Sequence, residues 1–157
     1  MLKAVELKEL KSEDALTLSD LLLAADKNYS KHFHPFSFDD ITITKILESA
    51  TNNKYFGVFV DEVLAGFYML RGFDEGYDIP SYGIWIAEQF SGLGLSKLTL
   101  QHAISYCKVN GIKKIMLKVH PNNSIAINIY ENFGFKQKGI DTKNNNLIFY
   151  KDLNLNS

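Results

Sequence analysis

The stretch of the chain with the most chemical potential is residues 81–110, where a strand-like run meets a loop of small residues. Tyr82, Ile84 and Ile86 alternate on one face, which is typical of a buried strand. The loop at residues 91–96 reads SGLGLS. Apolar residues then recur at helical spacing: Leu100, Ala103, Ile104 and Cys107. The pattern predicts strand, loop, helix.

Such a junction suits an anion. N–H groups at a helix start have no acceptor inside the helix, and the helix dipole adds partial positive charge there. Gly92 and Gly94 let the backbone approach a phosphate closely, so a pyrophosphate fits. A tight turn that needs glycine for steric reasons is the alternative interpretation. Two known phosphate loops are excluded, because GxxxxGK[ST] does not occur and no third glycine completes GxGxxG.

Size and composition predict one globular domain over residues 1–157, with 46% hydrophobic residues to build a core. The net charge of −1 gives no bulk attraction to nucleic acid or to an anionic membrane, so neither is an expected partner. No apolar run approaches the roughly 18 residues that span a bilayer. The first ten residues, MLKAVELKEL, lack the apolar region of a signal peptide. We therefore expect a cytoplasmic protein.

The single cysteine, Cys107, excludes a disulfide framework and agrees with a reducing compartment. A nucleophilic role is possible in principle for any thiol. Because Cys107 lies on the apolar stripe of the predicted helix, we expect a small buried side chain that fills space.

Periodicity and turn residues predict the element order β-α-α-β-β-β-α-β-α-β-β, a mixed α/β sheet with helices on its faces. The predicted strands lie at residues 3–7, 55–60, 63–70, 82–86, 112–119, 135–139 and 147–151. The predicted helices begin at residue 12, cover residues 40–50, begin at residue 97 and cover residues 124–132.

Three segments carry a family resemblance: IAEQFSGLGLSKL from Ile86, GIKKI from Gly111, and NSIAINIYENFGF from Asn123. Together they resemble the GCN5-related N-acetyltransferases (GNAT), over about residues 79–138. The most specific part is Asn-x-x-Ala-x-x-x-Tyr, which ends at Tyr130 and is followed by Gly-Phe at Phe135. The resemblance implies the fold of that family and an acetyltransferase activity.

The glycine loop of that family is written [Q/R]-x-x-G-x-[G/A], and two registers compete for it here. Gln89 to Gly94 matches by letter. Ser91 to Ser96 matches by position, because it leaves the usual helix length before Gly111 and turns the apolar stripe inward. We prefer the second register. It departs from the pattern at Ser91 and Ser96, so we expect weaker side-chain help to the phosphates.

The resemblance implies acetyl-CoA as co-substrate and no metal. It places acetyl-CoA in a cleft where residues 82–86 splay from residues 114–119. The pantetheine arm would pair with backbone groups of the strand at Ile84, Trp85 and Ile86, as an added strand does. The pyrophosphate would bind N–H groups of the glycine loop: Ser91, Gly92, Leu93, Gly94, Leu95, Ser96 and Lys97. Asn123 would hold the pantetheine arm, or merely cap its helix.

Direct acetyl transfer needs a base for the amine and a proton donor for the departing thiolate. The resemblance implies that Tyr130 lies near the thioester sulfur and is that acid, with plain helix packing as the alternative. Glu75 is the first candidate base and Asp78 the second, with Glu88 a third. The charged connection around Glu75 could also be a solvated hairpin.

Aromatic and charged residues outside the loop suggest an acceptor pocket. The resemblance places the loop before residue 40 beside the acceptor, so His34 and Phe36 are candidate substrate contacts, and Arg71 could bind an anionic part of the substrate. The expected acceptor is a small-molecule primary amine, with an amino sugar or a nucleotide-linked amino sugar first. Polyamines, amino acids and a protein N-terminus stay open, as does a non-catalytic acyl-CoA-binding module. The chain could be a monomer or a homodimer.

Overall fold

The computed structural model describes residues 1–154, in two compact units: Met1–Met69 with Ile84–Thr99, and Leu70–Gly83 with the chain from Leu100 onward. The strands are β1 (Val5–Glu9), β2 (Lys54–Val60), β3 (Val63–Arg71), β4 (Ser81–Ile86), β5 (Lys114–Val119), β6 (Lys136–Ile140) and β7 (Leu147–Asp152). The α-helices are α1 (Ala15–Ala24), α2 (Asp40–Ser49), α3 (Leu95–Val109) and α4 (Ser124–Asn132). The mixed α/β class and the predicted element order are confirmed. A single domain over residues 1–157 stays a prediction.

The first unit contains the strand order β1-β2-β3-β4, where β4 contributes its last residues. Strand β1 pairs antiparallel with β2, from Val5↔Val60 to Glu9↔Phe56. The β2–β3 turn is Asp61-Glu62, the two residues that separate the predicted strands at 55–60 and 63–70, with φ 48° and 68°. Positive φ at both positions is the geometry of a type I′ hairpin, which matches the twist of the flanking strands.

Helices α1 and α2 cover the apolar side of the first unit. Their inward residues join an apolar cluster with residues of β3 and β4, among them Leu18, Leu22, Ile43, Phe67 and Trp85. Each of these side chains is at most 5% exposed, so the cluster is a closed core.

The second unit contains the strand order β4-β5-β7-β6, with the first residues of β4. The parallel register of β4 with β5 has two residue pairs, Ser81↔Met116 and Tyr82↔Leu117. Strands β5, β7 and β6 are antiparallel, and the β6–β7 register shifts between Gln137 and Gly139. The inward stripe of α3 is buried as predicted: Leu100, Ala103, Ile104 and Cys107. Burial raises the pKa of the Cys107 thiol to about 12, so the thiol is neutral and unreactive.

Two boundaries near the glycine loop differ from the sequence-based expectation. Helix α3 begins at Leu95 and not at residue 97, because the Gly94 carbonyl already accepts the Leu98 N–H at 3.1 Å. A short 3-10 turn, Glu88–Phe90, precedes the loop and was not predicted. No helix within residues 1–154 is both long enough and apolar enough to cross a membrane.

Candidate functional site

The turn before α3 is built by two glycines. Gly92 has φ 76° and Gly94 has φ 82°, in the left-handed region that favours glycine. A Cβ at either position would meet no atom within 4 Å, so the turn is open on its outer side. The chain enters it through Ser91, whose N–H donates to the Glu88 carbonyl at 3.0 Å.

The N–H groups of residues 92–97 have no backbone or side-chain acceptor among residues 1–154. Residues 91–94 are exposed, and so is Lys97. The first turn of α3 carries no acidic side chain, and the helix behind it is 15 residues long. Unpaired amides, a helix dipole and a lysine form an arrangement that can hold a phosphate group.

Strand β4 leads into this turn with alternating backbone directions. The Ala87 N–H donates to the Ala65 carbonyl of β3 at 2.8 Å. The Trp85 carbonyl also faces β3, where a Cβ added at Gly66 would clash with it. Because strand residues alternate, the backbone groups of Ile84 and Ile86 point to the opposite edge of the strand.

The Ile86 carbonyl accepts a hydrogen bond from the Tyr29 hydroxyl at 2.6 Å. Burial raises the pKa of the Tyr29 phenol, and the carboxylate of Glu88 raises it further. The phenol therefore stays protonated and donates. The Tyr29 hydroxyl therefore occupies the outward Ile86 carbonyl, and a ligand that pairs with this carbonyl has to share it with Tyr29 or displace the hydroxyl.

The loop between α1 and α2 is fixed to β4 by further contacts. The Trp85 Nε1–H donates to the Ser30 hydroxyl at 3.0 Å, in a buried position. The Phe33 ring lies 6.5 Å from the Trp85 ring and 5.8 Å from the Phe67 ring. Sequence reasoning missed Tyr29 and Ser30, because the spacing of the loop residues does not indicate which of them turns toward a strand more than 50 residues away.

His34 and Phe36, the two loop residues predicted to contact the acceptor, lie in different environments. His34 is exposed, and its Nε2 lies 2.6 Å from the Lys31 carbonyl, which requires the proton on that nitrogen. Phe36 packs edge-on against Phe38 at 6.3 Å and against Phe67 at 6.3 Å. Packing in the core therefore explains Phe36 directly, and its role toward an acceptor stays a prediction.

In the second unit, the connection after β3 is a compact turn. Its hydrogen bonds run from the Gly76 N–H to the Phe73 carbonyl at 3.1 Å and from the Tyr77 N–H to the Gly72 carbonyl at 2.9 Å. Arg71 is partly buried at the end of β3. The predicted bases, Glu75 and Asp78, are both exposed, so a cationic group can reach either carboxylate.

Helix α4 carries the other two predicted residues. The Asn123 Oδ1 accepts the Ala126 N–H at 3.2 Å, so the capping role is confirmed. Tyr130 is 8% exposed, and its ring lies 6.0 Å from Phe135. Burial raises the pKa of its phenol to about 12, which keeps the hydroxyl protonated at neutral pH.

The Tyr130 hydroxyl forms no hydrogen bond within the described part of the chain. Every fully buried side-chain nitrogen or oxygen there has a partner. The Tyr130 oxygen must therefore keep contact with solvent although its ring is enclosed. A protonated phenol with a free donor is what an acidic or hydrogen-bonding role requires.

Comparisons with known proteins identify the family of the chain. The model of a family described as "Acetyltransferase (GNAT) family" matches residues 18–135. A spermine/spermidine N(1)-acetyltransferase of Bacillus subtilis (strain 168) is 32% identical over 124 residues, covering 72% of this chain and 82% of that protein. A probable spermine N(1)-acetyltransferase of Bacillus subtilis subsp. natto is 31% identical over the same shares.

Solved structures share the fold. A PaiA N-acetyltransferase from Thermoplasma acidophilum, solved in complex with coenzyme A, has a TM-score of 0.78 at 21% identity. The match covers 95% of this chain and 99% of that one. Mutant forms of the spermidine/spermine N-acetyltransferase SpeG from Vibrio cholerae give a TM-score of 0.73 at 19% identity, covering 96% and 95%.

Proposed function

Because the chain belongs to the acetyltransferase (GNAT) family, we propose that it transfers the acetyl group of acetyl-CoA to a primary amine of a small molecule. The observation that carries the proposal is the set of unpaired N–H groups at residues 92–97, in an exposed glycine turn at the start of a 15-residue helix. This is the arrangement that a diphosphate needs.

Residues of the chain fit the parts of acetyl-CoA. The diphosphate would bind the amides from Gly92 to Lys97, because the Ser91 N–H already donates to the Glu88 carbonyl at 3.0 Å and leaves the predicted role of Ser91 without a free amide. The pantetheine amides would pair with the outward backbone groups of Ile84 and Ile86, of which the Ile86 carbonyl already accepts a hydroxyl. The Asn123 side chain would assist while it caps α4. Acetyl-CoA supplies a thioester, whose carbonyl carbon a neutral amine can attack directly.

Tyr130 is the proposed donor to the departing thiolate. Its phenol pKa of about 12 lies above the roughly 8.5 of an ordinary thiol. Complete proton transfer from Tyr130 to the thiolate is therefore uphill. A hydrogen bond from the phenol can still stabilise the thiolate as the C–S bond breaks, because it does not require the proton to leave the Tyr130 oxygen.

A carboxylate is the proposed base, because the acceptor amine arrives as an ammonium ion and must lose a proton before it attacks. Glu75 is the first candidate and Asp78 the second, with Glu88 as the alternative. All three are exposed. Single Gln or Asn variants of these residues should separate the base from the others, because loss of the base lowers kcat/KM most at low pH, where little free amine is present.

A polyamine is the acceptor class that the relatives favour. Both Bacillus relatives are named for spermine, at 32% and 31% identity. The exposed carboxylates Glu75, Asp78 and Glu88 suit an acceptor with several positive charges. Neither Bacillus relative is named for an amino sugar, the acceptor that was expected first from the sequence.

Release of free CoA, followed with a panel of amines, tests the proposal. We expect turnover with spermine or spermidine and little with glucosamine or with a peptide N-terminus. Turnover with glucosamine and not with a polyamine would contradict the proposed polyamine acceptor, but it would still support acetyltransferase activity. Binding of acetyl-CoA without turnover on any amine would favour the non-catalytic module.

A further inference from the structure

We propose that the second unit contains a separate anion site, which takes a small molecule with several negative charges such as a polyphosphate. The site is a cavity of about 560 Å³ at the ends of three strands. We call it the lysine cavity, because its walls include Lys114, Lys136, Lys138, Lys151, Tyr150 and Asp152. The proposed acetyl transfer uses none of these residues.

Strand pairing assembles the lysine cavity. Lys114 begins β5 and lies opposite Asp152 of β7, while Lys136 begins β6 and lies opposite Tyr150 of β7. Lys138 falls in the register shift of the β6–β7 pair. Strand pairing therefore brings Lys114 and Lys136, which are 22 positions apart, next to Asp152 and Tyr150 of β7, and Lys151 lies between those two residues in the chain.

The charges in the cavity do not cancel. The Lys114 ammonium lies 3.4 Å from the Asp152 carboxylate and 5.8 Å above the Tyr150 ring. The side-chain ammonium groups of Lys136, Lys138 and Lys151 form no ion pair or hydrogen bond within residues 1–154. Four lysines against one carboxylate leave three positive charges around one cavity, in a chain whose net charge is −1.

One of these ammonium groups lies against the turn after α4. A Cβ at Gly134 would lie 2.8 Å from the Lys151 Nζ, so the ammonium group is close to the backbone of this turn. Gly134 has φ 89°, which the turn itself requires, and it also lines the cavity.

Protection of a sheet edge explains only part of the cluster. Strand β6 is the last strand in the order β4-β5-β7-β6, and exposed lysines on an edge strand discourage unwanted pairing. This accounts for Lys136 and Lys138. It does not account for Lys114 and Lys151, because β5 and β7 are interior strands.

The chemistry of the walls selects the ligand class. Ammonium groups are compact point charges that bind phosphates without a fixed fork geometry. A volume of about 560 Å³ lies within the roughly 300–1,000 Å³ of small-molecule pockets. A compact anion with several charges can contact the three unpaired lysines together, whereas a monovalent anion gains little from each.

Titration calorimetry with inorganic triphosphate on the Gly94→Glu protein tests the site. This background carries a carboxylate in the glycine turn, so the turn cannot account for the signal. We expect saturable binding with one triphosphate per chain. The triple variant Lys136→Glu, Lys138→Glu, Lys151→Glu should weaken it at least about tenfold.

A matched triple variant, Lys3→Glu, Lys45→Glu, Lys143→Glu, changes the net charge equally at exposed lysines elsewhere. It should stay within about twofold of its parent. The neutral pair Lys138→Gln, Lys151→Gln should also weaken binding, which guards against misfolding of the triple cavity variant. Absence of saturable binding, or equal loss in the matched triple variant, overturns the proposal. These results do not depend on whether the chain acetylates an amine.

Discussion

Helices α3 and α4 begin in opposite ways. At α4, the Asn123 side chain accepts the Ala126 N–H, and the Asn123 carbonyl accepts the Ile127 N–H at 3.0 Å. At α3, two glycines lead into the helix, and no residue of the described chain accepts the N–H groups of residues 92–97. The first turn of α4 is capped by protein groups, whereas the N–H groups before and at the start of α3 are unpaired, and we propose that a diphosphate binds them.

Helix α2 shows that capping is the ordinary solution in this chain. Asp39 accepts the Thr42 N–H at 2.9 Å and hydroxyl hydrogen bonds from Ser37 and Thr42. A protein that caps α2 and α4 with side chains could have capped α3 in the same manner. The difference is that the first amides of α3 have no acceptor among residues 1–154, whereas the first turns of α2 and α4 are capped by Asp39 and Asn123.

The substitution Gly94→Glu should have the largest effect. The position has φ 82° and open space beside it, so the new side chain fits but places a negative charge where the diphosphate is proposed to bind. We expect acetyl-CoA binding to fall below detection by calorimetry.

The matched control is Gly111→Glu, at the opposite end of the same helix. Gly111 has φ 72° and also has no atom within 4 Å of an added Cβ, so the backbone strain and the added charge are comparable. Retained acetyl-CoA affinity in Gly94→Glu, or equal loss in Gly111→Glu, would show that the phosphates bind elsewhere.

The substitution Tyr130→Phe tests the proposed role of α4 in the chemical step. Loss of the hydrogen bond from the phenol to the departing thiolate should lower kcat about a hundredfold, while the Kd for acetyl-CoA changes little. Because the hydroxyl has no protein partner, its removal should leave the melting temperature unchanged. Stopped-flow turnover and calorimetry separate the two quantities, and an unchanged kcat would remove Tyr130 from the chemistry.

Asn123→Ala should cost about 1 kcal/mol of unfolding free energy, because the Ala126 N–H loses its cap. Asn123→Ser keeps a capping oxygen and should restore most of that stability. If Asn123 also holds the pantetheine arm, acetyl-CoA affinity should stay weakened in the Ser variant. Full recovery of both quantities in urea unfolding and calorimetry would reduce Asn123 to a cap.

The cap of α2 should be the only one of these helix starts that responds to acid. Hydrogen bonds from the Ser37 hydroxyl and from Thr42 lower the pKa of Asp39 to about 2. A carboxyl with a lowered folded pKa stabilises the protein above its unfolded pKa of about 3.9, and that contribution is lost as pH falls toward 2.

Urea unfolding of the wild type and of Asp39→Asn between pH 2 and 6 measures this contribution. Asn keeps a capping oxygen but does not titrate. The wild type should be the more stable protein above about pH 4, and the difference should shrink toward pH 2. A difference that does not vary with pH would contradict the assignment.

The sequence predicted those structural features that depend on residues close together in the chain. Helical spacing predicted the buried stripe from Leu100 to Cys107, and the two-residue turn at Asp61 and Glu62 predicted the β2–β3 hairpin. Glycine after an apolar strand predicted the turn before α3. Each of these signals lies within about one helical turn or one hairpin, where backbone preferences decide the structure.

Non-local features did not show in the sequence. The Tyr29 hydroxyl reaches the Ile86 carbonyl across 57 positions, and nothing in the spacing of the loop indicates that contact. Phe36 was predicted to contact a substrate, which stays a prediction; its partly buried ring packs beside Phe67, and an aromatic loop residue can serve either role. The lysine cavity depends on strand order, which separates Lys114 from Lys151 in the chain and joins them in space.

The most direct test of the central claim is an amide titration by ¹H–¹⁵N correlation spectroscopy, with acetyl-CoA added to the wild-type protein. We predict that the amides of residues 92–97 shift most, with the downfield direction typical of new hydrogen bonds to phosphate, while the amides of residues 124–127 shift little. Unmoved amides at residues 92–97 in a saturated complex would contradict the account.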